Sequence, residues 1–110
     1  MRSESCVLVV TTFPDIEKAR DIAKILVEER LVACVNLIPQ MESIYLWKEG
    51  IHNSHEVGGL MKTMESRVSV LETRLCQLHP YELPELIVLP VKGGLPAFLD
   101  WVSASVKRGG

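Results

Sequence analysis

The residues best suited to chemistry cluster in one short segment, LHPYELPEL, Leu78 to Leu86, where a histidine, a tyrosine and two glutamates sit among two prolines. Pro80 and Pro84 fix their own φ, lack an amide hydrogen and push the residues before them into extended conformations. The segment is therefore expected to be a stiff connector that holds its side chains in place. His79 has two readings: a metal ligand or ligand-binding donor at a subunit boundary, or a helix C-terminal cap held against a sheet. Cys34 offers a soft thiolate for Cu(I), although a buried free cysteine ordinarily behaves as a small hydrophobe. His52 and His55 are three apart, which places them on opposite faces of a strand and speaks against joint chelation.

Enzymatic chemistry finds little support. No Ser-His-Asp or Cys-His pattern is present, and no spaced set of three ligands would hold a catalytic zinc with an open position. His79 with Glu82 or Glu85 is the sole combination suited to proton transfer, and nothing else supports it. The chain is read as a non-enzyme. Gly93-Gly94 fits neither phosphate-loop pattern and reads as a turn ahead of the last helix.

These residues need elements to position them. SCVLVVTT is a β-branched run, apolar from Cys6 to Val10, and predicts a first strand. In PDIEKARDIAKILVEERL, Ile16, Ala19, Ile22, Ala23, Leu26 and Val27 recur at helical spacing, with Thr12 or Asp15 as N-cap. VACVNLIP predicts a second strand; after the interruption PQME, β-rich character resumes in SIYLW. KEG signals a turn, and IHNSHEVGGLMKT reads as a third strand. Val68, Leu71, Leu75 and Leu78 form a helical stripe that ends where Pro80 intervenes. ELIVLPV is a near-continuous apolar run and predicts a central strand, and LPAFLDWVSASV a terminal helix with Phe98, Leu99 and Val102 on one side.

The order βαββαβ followed by α is the split βαβ arrangement of a ferredoxin-like α+β sandwich, with two helices on one face of a four-stranded antiparallel sheet. The hairpin from about Ala33 to Thr63 exceeds ordinary strand length, so it is expected to project, and its exposed edges to pair between subunits of a closed cyclic oligomer.

Residues 1–110 suffice for a single domain. A net charge of −2, with no run of like charges, offers no nucleic-acid footprint and no polybasic membrane patch. No transmembrane run or convincing signal peptide is read. Three cysteines without a CxxC pair suit reduced thiols and a cytoplasmic home.

ARDIAKILVEERLVACVNLIP, SIYLWKEG, EVGGLMKT, HPYELPELIVLPV and PAFLDWV, in this order, resemble the CutA or divalent cation tolerance family through almost all of the chain. The resemblance implies a trimer built by edge pairing of the long hairpin, similar in shape to PII signalling proteins. It also implies links to tolerance of divalent cations, copper above all, and in animal members to membrane presentation of acetylcholinesterase. Trp47, Lys62, Tyr81, Glu85 and Trp101 fall at positions several of which, in that family, line a crevice between subunits. Such a cleft suits a small anion or metabolite; alternatively the tryptophans are interface anchors and Lys62 pairs with Glu85 across subunits.

Two departures stand out. Some bacterial members carry a cysteine before the TxPD turn and two histidines before PY, a trio suggested to bind copper; here those positions are Thr11, Leu78 and His79. Gly58-Gly59 replaces bulky apolar residues, predicting a weakened strand, a bulge or a wider pocket. Three functional readings result: a homotrimeric divalent-cation tolerance protein binding metal weakly with His79 as best ligand, a PII-like small-metabolite module, or a trimeric scaffold. None requires a cofactor; copper or another divalent cation is the ion expected.

Overall fold

A computed structural model describes residues 5–107. Its elements are β1 (Cys6–Phe13), α1 (Ile16–Glu28), β2 (Cys34–Trp47), β3 (Gly50–Met64), α2 (Val68–Leu78, entered through a 3₁₀ turn over Glu65–Arg67), β4 (Ile87–Pro90) and α3 (Pro96–Ser105). The sheet is antiparallel in the order β2-β3-β1-β4. This is the expected ferredoxin-like α+β arrangement with an added C-terminal helix.

Strand alternation divides the core. On one face Val7, Val9 and Phe13 of β1 and Val57 and Met61 of β3 meet Ala19, Ile22 and Leu26 of α1 and Leu71 and Leu75 of α2. On the other face Cys6 and its register partner Met64 meet Leu99, Val102 and Val106 at the α3 end. Phe98, expected beside Leu99 and Val102, stays 43% exposed and lies against Trp101, ring centroids 5.5 Å apart.

The helix boundaries follow local chemistry. Asp15 caps α1, its Oδ1 accepting from the Lys18 amide at 2.7 Å. At the other end Arg30 takes φ 60°, and the amides of Arg30 and Leu31 reach back to the carbonyls of Val27 and Leu26. This double bond pattern is a Schellman motif, and Leu31 and Leu26 are both buried within it. Helix α2 stops at Leu78, with His79 as its C-cap in an extended conformation before Pro80.

The ELIVLPV run departs from expectation. Only Ile87–Pro90 form β4, which pairs with β1 alone and is an edge strand. Ile87, Val88 and Leu89 are 51, 38 and 45% exposed, because the order of the sheet leaves no strand beyond them.

The β2–β3 hairpin outruns the sheet. Pairing of β1 with β3 ends at Phe13 opposite Val57, whereas β2 and β3 continue to pair from Met41 and Glu56 out to Trp47 and Gly50. Residues 41–56 thus form a two-stranded arm, which contributes to the 49 × 27 × 22 Å shape of the chain. Its tip is a two-residue turn in which Lys48 and Glu49 both have positive φ, the twist that closes tight hairpins.

The interruption PQME is a bulge. Ile38 opposes Gly58 and Met41 opposes Glu56, so Pro39 and Gln40 stand across from Val57 alone, with Gln40 at φ 61°. Gly58-Gly59 carries no bulge of its own; both residues are buried and paired on both sides. They are sites of close approach: a Cβ on Gly58 would lie 2.8 Å from Met41 Sδ, and one on Gly59 2.8 Å from Phe13 Cε2. The space that larger residues would fill is taken by Met41 and Phe13, so no widened pocket results there.

Candidate functional site

The connector between α2 and β4 is fastened to the end of β1. His79 is 7% exposed; its Nε2 lies 2.7 Å from the Thr12 carbonyl, and its Nδ1 accepts the Tyr81 amide at 3.1 Å. An Nδ1 that accepts and an Nε2 facing a carbonyl define the tautomer with hydrogen on Nε2. The imidazole stacks on Phe13 at 5.6 Å and meets the Tyr81 ring at 4.7 Å. A second clasp is the Thr11 hydroxyl, which donates to the Glu85 carbonyl at 2.7 Å.

This anchoring aims Tyr81 at the arm. Its hydroxyl donates to Glu56 Oε2 at 2.6 Å. Partial burial, and then the Glu56 carboxylate, push the phenol's pKa well above its usual range, so it remains a proton donor. Between the arm, the connector and β1 lies a cavity of about 640 Å³, walled by Tyr45, Trp47 and Tyr81 and bearing the carboxylates of Glu56, Glu82 and Glu85. Thr12, Ser43 and Ser54 add hydroxyls to its lining. Tyr45 bonds Ser54 at 3.0 Å and stacks on His52 at 5.7 Å, and His52 Nε2 lies 3.2 Å from the Trp47 carbonyl. At the rim Lys48 lies 3.7 Å from Glu82 and 5.6 Å from the Trp47 ring centre.

Of the five crevice residues expected from the resemblance, one chain brings Trp47, Tyr81 and Glu85 together. Lys62 lies six residues along β3 from Glu56, about 20 Å at the usual strand rise, and donates to Asn36 Oδ1. Trp101 is on α3, against Phe98. Glu56, Tyr45 and Thr12 were not anticipated. Strand alternation alone misplaces Tyr45, because the bulge at Pro39-Gln40 changes which residues share its face.

The copper trio does not fit a metal. Thr11 is fully buried with its hydroxyl committed to Glu85, Leu78 packs against the core, and both His79 nitrogens have protein partners. Cys34, half-buried and opposite Lys62, is separated from His79 by the span of β1 between Leu8 and Thr12, about 13 Å along the strand. His52 and His55 face opposite sides of β3, opposite Tyr45 and Glu42. Among the described residues no three His, Cys, Asp or Glu side chains converge to hold a metal ion.

A ferredoxin-like sandwich with a projecting two-stranded arm, and a cavity where that arm meets the α2–β4 connector, defines the class of protein. The family model for the CutA1 divalent ion tolerance protein matches residues 7–105, and the chain belongs to that family. It is 44% identical over 95 residues to the divalent-cation tolerance protein CutA of Thermus thermophilus, covering 86% of this chain and 92% of that one. Against the mouse protein CutA it is 48% identical over 91 residues, which is 83% of this chain but 51% of the mouse protein; the chain spans about half the length of that relative. The crystal structure of CutA from Xylella fastidiosa superposes with a TM-score of 0.91 at 41% identity, covering 94% of this chain and 99% of that one.

Proposed function

We propose that the chain acts in divalent-cation tolerance as a homotrimer. The observation that carries this reading is the arm. Ile44 and Leu46 on β2 and Ile51 opposite Leu46 are 69, 73 and 80% exposed on a two-stranded segment with unpaired edges. Such an apolar, unpaired strand invites association unless another strand covers it. The exposed aliphatic edge of β4 presents the same demand. Closed cyclic pairing answers both, and a ring of three is the closure implied by the resemblance to CutA proteins. Light scattering of the purified protein at micromolar concentration tests this: the expected mass is about three times the 12.3 kDa chain, and a single-chain mass would overturn the reading.

Divalent ions, copper among them, are bound weakly in this reading. A metal at His79 has to take Nδ1 from the Tyr81 amide or Nε2 from the Thr12 carbonyl, and the lost bond offsets part of the gain. In this reading the protein is non-enzymatic, and three cysteines that form no disulfide among the described residues favour the reducing cytoplasm. Calorimetric titration of chelator-stripped protein with Cu(II) should give affinity in the micromolar range or weaker. Nanomolar stoichiometric binding abolished by His79→Ala would replace this account with a dedicated centre.

A second reading, a small-metabolite module of PII type, is favoured by the cavity between Trp47, Tyr81 and Glu56, whose volume is that of a small-molecule site.

A further inference from the structure

We propose that the cavity between the arm and the connector binds a small organic cation, an alkylammonium or a guanidinium. This rests on the second reading above and names its ligand class. The resemblance places Lys62 with the aromatics in a crevice between subunits; within one chain Lys62 lies about 20 Å along β3 from Glu56, and the lining that one chain supplies contains no lysine or arginine. Its charged groups are all carboxylates, set among three aromatic rings, three hydroxyl residues and the aliphatic Ile44 and Leu83. Lys48 compensates Glu82 at the rim, where both are exposed, leaving Glu56 and Glu85 as carboxylates inside without a cationic partner among the described residues. Tyr45, Trp47 and Tyr81 supply ring faces for a desolvated cation. Tyr81 cannot satisfy a cation through its hydroxyl hydrogen, which is spent on Glu56; its oxygen lone pairs and its ring remain.

An independent observation is Thr12. It is 7% exposed and lines the cavity, yet its hydroxyl has no hydrogen-bond partner among the described residues. No buried side-chain oxygen among them lacks a partner, so this oxygen keeps contact with the cavity and is available to a ligand N–H. The two inner carboxylates do not converge with a third ligand on one metal-sized point. An ion that spreads its charge over several N–H groups suits acceptors placed around about 640 Å³ better than a compact ion does.

The test uses the Trp101→Phe variant, in which Trp47 is the remaining one of two tryptophans and reports from the cavity wall. Its fluorescence is titrated with n-butylammonium, n-butylguanidinium, butyrate and n-butanol, and amide chemical shifts of the unaltered protein are followed in parallel. At least one cation should saturate, with shifts at Thr12, Tyr45 and Glu85, and Glu85→Gln should weaken it at least tenfold. The arms also decide between ammonium and guanidinium. Saturation by butyrate or butanol equal to that of both cations would overturn the cation assignment while keeping the small-molecule reading. Saturation by none of the four, in either measurement, would overturn both. An unchanged affinity in Glu85→Gln would overturn the assignment of the site.

Discussion

The Tyr81 hydroxyl donates to Glu56 Oε2 across 2.6 Å, tying the connector after α2 to the root of the arm. Removing the donor by Tyr81→Phe leaves the ring in place and Glu56 short of a partner. A hydrogen bond to a charged acceptor is worth about 1.5–3 kcal/mol; partial exposure places the expected loss near the lower figure, about 1–2 kcal/mol in urea unfolding.

The same pair sets an alkaline limit. The phenol's pKa is raised in the folded state, mainly by burial and then by Glu56, so folding holds a proton that the unfolded chain releases near pH 10. This contribution is fully present below about pH 10 and declines as pH rises toward the higher folded value. Stability measured from pH 8 to 11.5 should fall more steeply in the parent than in Tyr81→Phe. Equal slopes would mean that the bond is not maintained in solution.

His79 is the second fastening. His79→Ala removes two hydrogen bonds and a stacked ring at a buried position, and should cost about 2–4 kcal/mol. His79→Gln, able to keep one bond, should recover part of it. A metal-ligand role without this structural one predicts little change in urea midpoint for either variant.

The paired glycines should respond in opposite ways. At Gly59 a new Cβ lies 2.8 Å from Phe13 Cε2 and 3.0 Å from Thr11 Cγ2, two fully buried side chains, so Gly59→Ala should destabilise by about 1–3 kcal/mol. At Gly58 the close atom is the sulfur of Met41, on a flexible and half-buried chain. Gly58→Ala should therefore be neutral or stabilising by up to about 1 kcal/mol, since glycine in a strand forfeits that much entropy. Thermal denaturation of the two variants checks the contrast.

The arm offers a direct assembly test. Ile51→Glu places a charge opposite Leu46 on the exposed face. In the trimer reading it should lower the mass measured at micromolar concentration to that of one chain while far-UV circular dichroism is retained. An intact trimer would remove this face from the interface.

Much of the fold was legible because its signals are local. The Asp15 cap, the stop before Pro80 and the stripe of Leu71 and Leu75 depend on neighbours in sequence. The position of β4 did not: an apolar run records that a strand avoids water, and Ile87–Leu89 would read alike whether covered within the chain or by another copy. At the site, the connector identified itself through its two prolines, and Tyr81 and Glu85 with it. Glu56 did not, because its meeting with Tyr81 crosses 25 positions of sequence and depends on how the arm leaves the sheet. Lys62 and Trp101 were grouped with the cleft by resemblance, and the rise of β3 and the seat of α3 keep them at the other end of one chain.

The bulge at Pro39-Gln40 acts as a phase shift in the reading of β2. Before it, odd-numbered Val35 and Leu37 pack toward α1 and α2 while even-numbered Ile38 turns away. After it the parity inverts, so that Met41 joins Ile38 beside Gly58, and Tyr45 and Trp47 follow onto the cavity side. Leu46, paired with Ile51, is thereby turned toward the opposite, outward face. Were Pro39 and Gln40 to pair in regular alternation instead of bulging, every later residue of β2 would change face, whereas deleting Gln40 would remove the bulge and leave Met41, Tyr45 and Trp47 on the face they now occupy. The bulge thus absorbs one extra residue without letting it turn the aromatic side of the arm away from the cavity.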